Sequence, residues 1–173
     1  MIKILFLVIS LCAYIQSSHS ATLMCSTQAS TAASNYYCTI ADNGSKILNY
    51  FNFIRFFKAH KFFIFLGSTT SCAQCAAGVK YWCPTVPPKP TSAWVRGIKV
   101  IGNCGSIAPY TAIATFGGSN GGYGGHAAVF MGCSGNTINV YDQWDGKKWS
   151  FRNIWDTNGS ISNNPNGFYT ISV

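Results

Sequence analysis

Cysteine usage constrains this chain more than any other feature. Eight cysteines occur in 173 residues, and Cys12 lies in an N-terminal stretch that reads as a cleavable leader. Lys3 gives a short positive region, Ile4 to Ile15 is almost wholly apolar, and Ser18 and Ser20 are small residues suited to cleavage after Ser20. A membrane span needs ~20 apolar residues, so a leader over residues 1–20 is the expected reading and a stable anchor is not. Seven cysteines then remain: Cys25, Cys38, Cys72, Cys75, Cys83, Cys104 and Cys133. In the oxidising compartment that a leader implies, most cysteines pair. An odd number leaves one over, either free and reactive or bonded to another chain. Six paired cysteines admit many connectivities, and sequence alone does not choose among them.

Composition narrows the class further. Charged residues are 9% and hydrophobic residues 48%, against roughly 25% charged in an ordinary soluble domain. That is too apolar for a disordered tail and too poor in charge for a coiled coil. Twelve Lys and Arg face four Asp and Glu, for a net charge of +8, of which only Lys3 leaves with the leader. Such a chain is drawn to anionic surfaces, bacterial envelopes included. Nucleic acid is not expected as a partner, because no recognition signature occurs and the basic residues outside 46–66 are scattered. The sequons Asn43-Gly-Ser and Asn158-Gly-Ser fit export.

Along the chain, residues 21–69 form an N-terminal region and residues 70–173 an ordered domain. Within the first part, 46–66 is anomalous: seven of the twelve Phe, four basic residues, no acid and no Gly. Polar residues recur there every third position (Asn49, Asn52, Arg55, Lys58, Lys61), a spacing that drifts around a 3.6-residue helix. An interfacial basic helix, a buried helix and translated intron sequence all remain open for this segment. From residue 70, Thr70 or Ser71 is placed to cap a helix that runs through Cys75, Ala76, Ala77, Val79, Tyr81 and Trp82, ended by Pro84 and the prolines after it. Trp94 to Gly97 reads as a short connection. Strands are expected at Thr111–Phe116, His126–Met131, Ile138–Trp144, Trp149–Ile154 and Phe168–Val173, with a flexible glycine-rich loop at Gly117–Gly125. A helix followed by an antiparallel meander is an α+β fold.

His126 is the one histidine in the ordered part. A hairpin centred near Ser134 would put Asp142 or Gln143 opposite it. A carboxylate or amide beside an imidazole fixes its tautomer, and a carboxylate also stabilises the imidazolium, as a general base requires. Cys75, near the first turn of the predicted helix, is the candidate nucleophile, because the helix dipole and unpaired N–H groups there favour a thiolate. A competing reading pairs Cys72 with Cys75 as a redox or structural C-x-x-C. A single C-x-x-C without a partner pair makes a poor zinc site, so no metal and no cofactor is expected.

Five segments in order carry a resemblance: QCAAGVK (74–80), SAWVRGIKVIGN (92–103), IAPYTAIATF (107–116), GGHAAVFMG (124–132) and INVYDQW (138–144). Together they resemble papain-like bacterial cell-wall amidases of the NlpC and CHAP type, in particular amidase effectors delivered by type VI secretion. The resemblance implies a papain-like fold with an N-terminal catalytic helix packed on an antiparallel sheet. It implies hydrolysis of amide bonds in peptidoglycan peptides. Carried over by position, Cys75 is the nucleophile, His126 the base and Asp142 the orienting acid, with Gln143 in reserve for the third role. Cys25, Cys38, Cys72, Cys83, Cys104 and Cys133 are then the disulfide candidates. This cysteine content and the 46–66 segment depart from the bacterial pattern and fit an enzyme adapted to secretion, such as a bacterial gene taken up by a eukaryotic host. The expected protein is a secreted, antibacterial, monomeric cysteine amidase. The alternatives are a silent cell-wall binding module on the same fold and a membrane-active defence protein working through 46–66.

Overall fold

The computed structural model describes residues 20–39 and 72–173. The expected leader up to residue 19, the 46–66 segment, His60, the Asn43 sequon and the caps expected at Thr70 and Ser71 lie outside the described residues. What is described is a mixed fold: one α-helix, α1 (Cys75–Trp82), and six strands, β1 (Val95–Lys99), β2 (Thr111–Thr115), β3 (Ala127–Ser134), β4 (Thr137–Trp144), β5 (Lys147–Ile154) and β6 (Phe168–Ser172). The strands form a single antiparallel sheet in the order β1-β6-β2-β3-β4-β5. Strands β2 to β5 form the expected meander. The last strand returns across it to lie between β1 and β2, so the sheet is not a simple meander.

Helix α1 begins at Cys75, and Gln74 is its N-cap in extended conformation without a side-chain cap bond. That corrects the placement of the cap at Thr70 or Ser71. The helix stops at Cys83 because Pro84 has no N–H to continue it and disfavours helical backbone just before it. Ala77, Gly78 and Trp82 are buried with Cys75 and Val79, a spacing that brings one helical face onto the sheet. Gly78 is needed there for space: a Cβ would lie 2.8 Å from Trp149 Cζ3 and 2.9 Å from Gln143 Cδ.

Strand alternation divides the core into two layers. Ala127 and Val129 of β3 face α1, Trp82 and Trp149. Ala128 and Phe130 face the other way, onto Ile113, Ile138, Val140 and Phe168. The N-terminal segment belongs to the first layer. Leu23 is buried; its N–H donates to the Ile171 carbonyl at 2.8 Å and its carbonyl accepts from Ala112 N–H at 2.9 Å.

One sequence expectation fails for a physical reason. Trp94–Gly97 is not a connection: Val95–Lys99 is edge strand β1, paired with β6 through an irregular register between Arg96 and Lys99. All five of its residues are exposed, so it carries no burial alternation for a sequence reading to detect. The loop 117–125 lies where the sequence puts it and carries backbone hydrogen bonds of its own. Gly117 N–H donates to the Gly124 carbonyl (3.2 Å), Gly118 N–H to that of Gly122 (3.1 Å), and Gly124 N–H to that of Thr115 (3.2 Å).

Three disulfides close the frame: Cys25–Cys83, Cys38–Cys72 and Cys104–Cys133. Cys75 is free and buried. The Cys72–Cys75 pairing left open by the sequence is not formed. Among the described residues, no helix is long and apolar enough to cross a membrane, and no cluster of His, Cys, Asp or Glu is arranged to hold a metal ion.

Candidate active site

Each side chain of the site is fixed by the backbone that carries it. Cys75 is the first residue of α1, where N–H groups have no carbonyl partner within the helix and the dipole is positive. His126 sits just before β3. Gly125, preceding it, has φ +106°, a conformation that glycine adopts without strain. Buried Thr115 then clamps the histidine backbone: its Oγ1 accepts from His126 N–H at 2.8 Å and donates to the Gly124 carbonyl at 2.7 Å, while Thr115 N–H donates to the His126 carbonyl at 2.9 Å.

Asp142 comes from the middle of β4 and is fully buried. Its Oδ2 lies 2.8 Å from His126 Nε2, so Nδ1 is the ring nitrogen left for the thiol. The contact forms in a register other than the expected one. The hairpin turns at Gly135 and Asn136, and Phe130 pairs with Val140 beyond an irregularity at Met131. Continued to His126, that register points at Trp144, whose ring lies 5.9 Å from the imidazole, edge to face. Asp142, two residues along on the same strand face, reaches His126 diagonally.

Gln143 points to the opposite face, as strand periodicity requires. It does not touch His126 in any hydrogen bond. Its Nε2 donates to the carbonyls of Tyr37 (2.9 Å), Cys72 (2.7 Å) and Gln74 (3.2 Å), and its Oε1 accepts from Tyr37 N–H (2.8 Å). The side chain is thus a strut beneath the start of α1.

Electrostatics favour charge separation between Cys75 and His126. Burial alone would push the Cys75 thiol up, but His126 by hydrogen bond and charge, the Tyr123 hydroxyl and the Ala127 N–H outweigh it and lower the pKa to about 7. Burial would lower the His126 pKa; the hydrogen bonds to Asp142 and Cys75 and their charges reverse this and raise it above its ordinary value. Burial of Asp142 is offset by His126, Arg152 and Lys147, which hold its carboxyl below the usual range. Lys147 Nζ donates to Asp142 Oδ1 at 2.9 Å and Arg152 Nε to Oδ2 at 2.6 Å. Arg152 also reaches Asn163 Oδ1 and the Ser162 carbonyl, tying β5 and the following loop to the carboxylate.

The structure therefore brings Cys75, His126 and Asp142 together and sends Gln143 elsewhere. Sequence reasoning missed Thr115, Lys147, Arg152 and the contact of Tyr123 with the sulfur. For Thr115 no local signal exists, since it is one of two threonines in an otherwise apolar buried strand. The two cations had one: β5 is paired with β4, and alternate residues of neighbouring strands share a face.

The chain has relatives. Residues 52–171 match the family model described as domesticated amidase effector 2; the match begins within the 46–66 segment. The chain is 44% identical over 101 residues to domesticated amidase effector 2 of Ixodes scapularis, covering 58% of this chain and 71% of the relative. It is also similar to a solved type 6 secretion amidase effector 2, at 28% identity and a TM-score of 0.48, over 62% of this chain and 84% of that one. With the family model matching well over half of its length, the chain belongs to the domesticated amidase effector 2 family of amidase effectors.

Proposed function

We propose that this chain is a secreted cysteine amidase of papain-like design that hydrolyses amide bonds in bacterial peptidoglycan peptides, to antibacterial effect. One observation carries the reading. Of the seven cysteines after the leader, Cys75 alone is outside a disulfide, and it lies at a helix start against the His126–Asp142 pair. A binding module would have no use for a free thiol so placed. Export is supported by the leader and by the three disulfides, which persist in oxidising compartments. In this reading residues 1–20 are removed, and 70–173 carry the chemistry on a frame completed by 21–69.

The Cys75 thiolate attacks the scissile carbonyl carbon, forming the C–S bond. The N–H of Cys75 and its neighbour at the helix start hold the developing oxyanion. His126 Nδ1–H protonates the leaving amine as the C–N bond breaks. The imidazole then takes a proton from water, which attacks the thioester carbonyl and releases the carboxylate and the thiol. Asp142 holds the ring tautomer and stabilises the imidazolium formed at each step. The net positive charge, +8 before leader removal, concentrates the protein on anionic envelopes.

The test is digestion of purified sacculi by the oxidised protein beside Cys75→Ala, with fragments identified by mass spectrometry. Wild type should release peptides with new amino and carboxyl ends. Cys75→Ala should lose activity by at least about a thousandfold, with its disulfides and thermal transition retained. Fragment release by Cys75→Ala at the wild-type rate removes the nucleophile assignment.

A further inference from the structure

We propose that Tyr123 is a further catalytic residue, its hydroxyl donating a hydrogen bond to the Cys75 sulfur in the thiolate state. This rests on the reading of Cys75 as the nucleophile. The observations are geometric. Tyr123 Oη lies 3.4 Å from Cys75 Sγ, within reach for a bond to sulfur. The ring is braced edge to face by Trp94, centroid to centroid 5.0 Å, and Trp94 is itself 4% exposed. The loop carrying Tyr123 is folded on itself by the Gly117–Gly124 and Gly118–Gly122 bonds, and the Thr115 hydroxyl that holds Gly124 also holds His126. Tyr123 and His126 are thereby set by one clamp, three residues apart, and converge on one sulfur.

A hydroxyl between sulfur and another group accepts or donates according to its charge state. Here burial, then the neighbouring Cys75, push the Tyr123 phenol well above its ordinary range, so it stays protonated and serves as donor whenever the thiol ionises. The groups facing the sulfur are Tyr123 from the glycine loop, His126 with Asp142 behind it, and the Ala127 N–H at the start of β3. The Ala127 donor is backbone and His126 must release its proton during turnover. Tyr123 is the side-chain donor that stays on the sulfur for as long as the sulfur carries charge. When the thioester forms and the sulfur loses its charge, the same O–H is free to turn to the adjacent carbonyl oxygen.

The experiment follows the pH dependence of iodoacetamide alkylation of the full oxidised protein, which needs no substrate. Tyr123→Phe keeps the ring on Trp94 and removes only the oxygen. Its alkylation midpoint should rise by about one pH unit, the order expected for a lost bond to a charged group, so that alkylation at pH 6 slows about tenfold. Sacculus digestion at pH 6 should slow to a similar extent. Trp94→Phe, which loosens the brace and keeps the hydroxyl, should lower thermal stability and leave the midpoint where wild type has it. A Tyr123→Phe profile superimposed on wild type overturns the proposal, as does an equal shift in Trp94→Phe, which would mark a packing effect. Failure of the amidase reading is separate: it appears as sacculi left intact by wild type, or cut by Cys75→Ala, whatever the alkylation profiles do.

Discussion

The carboxylate of Asp142 serves two demands that pull in different directions. Toward His126 it is the acceptor that makes an imidazolium favourable. Toward Arg152 and Lys147 it is the counter-charge for two cations only partly covered, with side-chain exposures of 14% and 23%. Asp142→Asn should therefore lower kcat/KM by about 10²–10⁴-fold, less than Cys75→Ala, and lower stability by about 1–3 kcal/mol, discounted for the solvent near the cations. The pH dependence has a definite sign. A carboxyl with a lowered folded pKa adds stability above its unfolded value, ordinarily 3.8, and loses it as pH falls below that. A histidine with a raised pKa adds stability below 6.5 and loses it as pH rises through its folded value. Thermal melts across pH should show both flanks in wild type and weaker ones in Asp142→Asn. For activity, the acid limb of kcat/KM should lie near pH 7, where the Cys75 thiol ionises; an acid limb near the ordinary thiol range would show that the sulfur is not so stabilised.

Strand β4 shows how one element divides its labour. Asp142 and Gln143 are neighbours, and the sequence left either able to partner His126. Because adjacent strand residues face opposite ways, only one of them reaches the histidine, and the register selects Asp142. Gln143 faces α1 and accounts for four hydrogen bonds to backbone groups of 37, 72 and 74. Gln143→Ala should destabilise the protein by about 2–4 kcal/mol, since buried backbone groups lose their partners. It should also reduce turnover by displacing the start of α1 without moving the acid limb. An acid limb shifted as in a nucleophile-contact variant would return Gln143 to the catalytic set. Helix α1 and strands β3, β4 and β6 were legible because burial alternates or repeats along them. Strand β1 was not, because it buries nothing.

The disulfides connect parts of the chain that local signals cannot relate. Cys104–Cys133 spans 29 residues and lies with the layer away from α1. Cys38–Cys72 spans 34 residues and ends three residues before Cys75. Loop-closure entropy gives each about 3–4 kcal/mol. Replacing Cys104 and Cys133 together by Ala should lower the thermal transition and spare activity at temperatures where the fold persists. Replacing Cys38 and Cys72 should lower both, because Cys72 anchors the approach to α1 and supplies the carbonyl that Gln143 holds. Equal activity losses from the two pairs would mean that neither bridge positions Cys75.

What the sequence determined by itself were properties that depend on counting and local pattern. With Cys12 assigned to the expected leader, an odd cysteine number left one cysteine without a partner inside the chain. The lone histidine of the ordered part singled out His126 as the candidate base. The run through Cys75 to Trp82 indicated a helix with Cys75 near its first turn, though with its cap placed too early, and apolar runs and alternation indicated the central strands. Which cysteine stays free, which of two adjacent residues faces His126, how β6 returns between β1 and β2, and how Thr115, Tyr123, Lys147 and Arg152 join the site were decided only by the tertiary structure. Those outcomes depend on register, on which face of a strand meets which layer, and on contacts between residues far apart in the chain. No window of sequence contains that information, because the energy that selects one register over its neighbours is the burial of whole side-chain faces against partners from elsewhere in the fold.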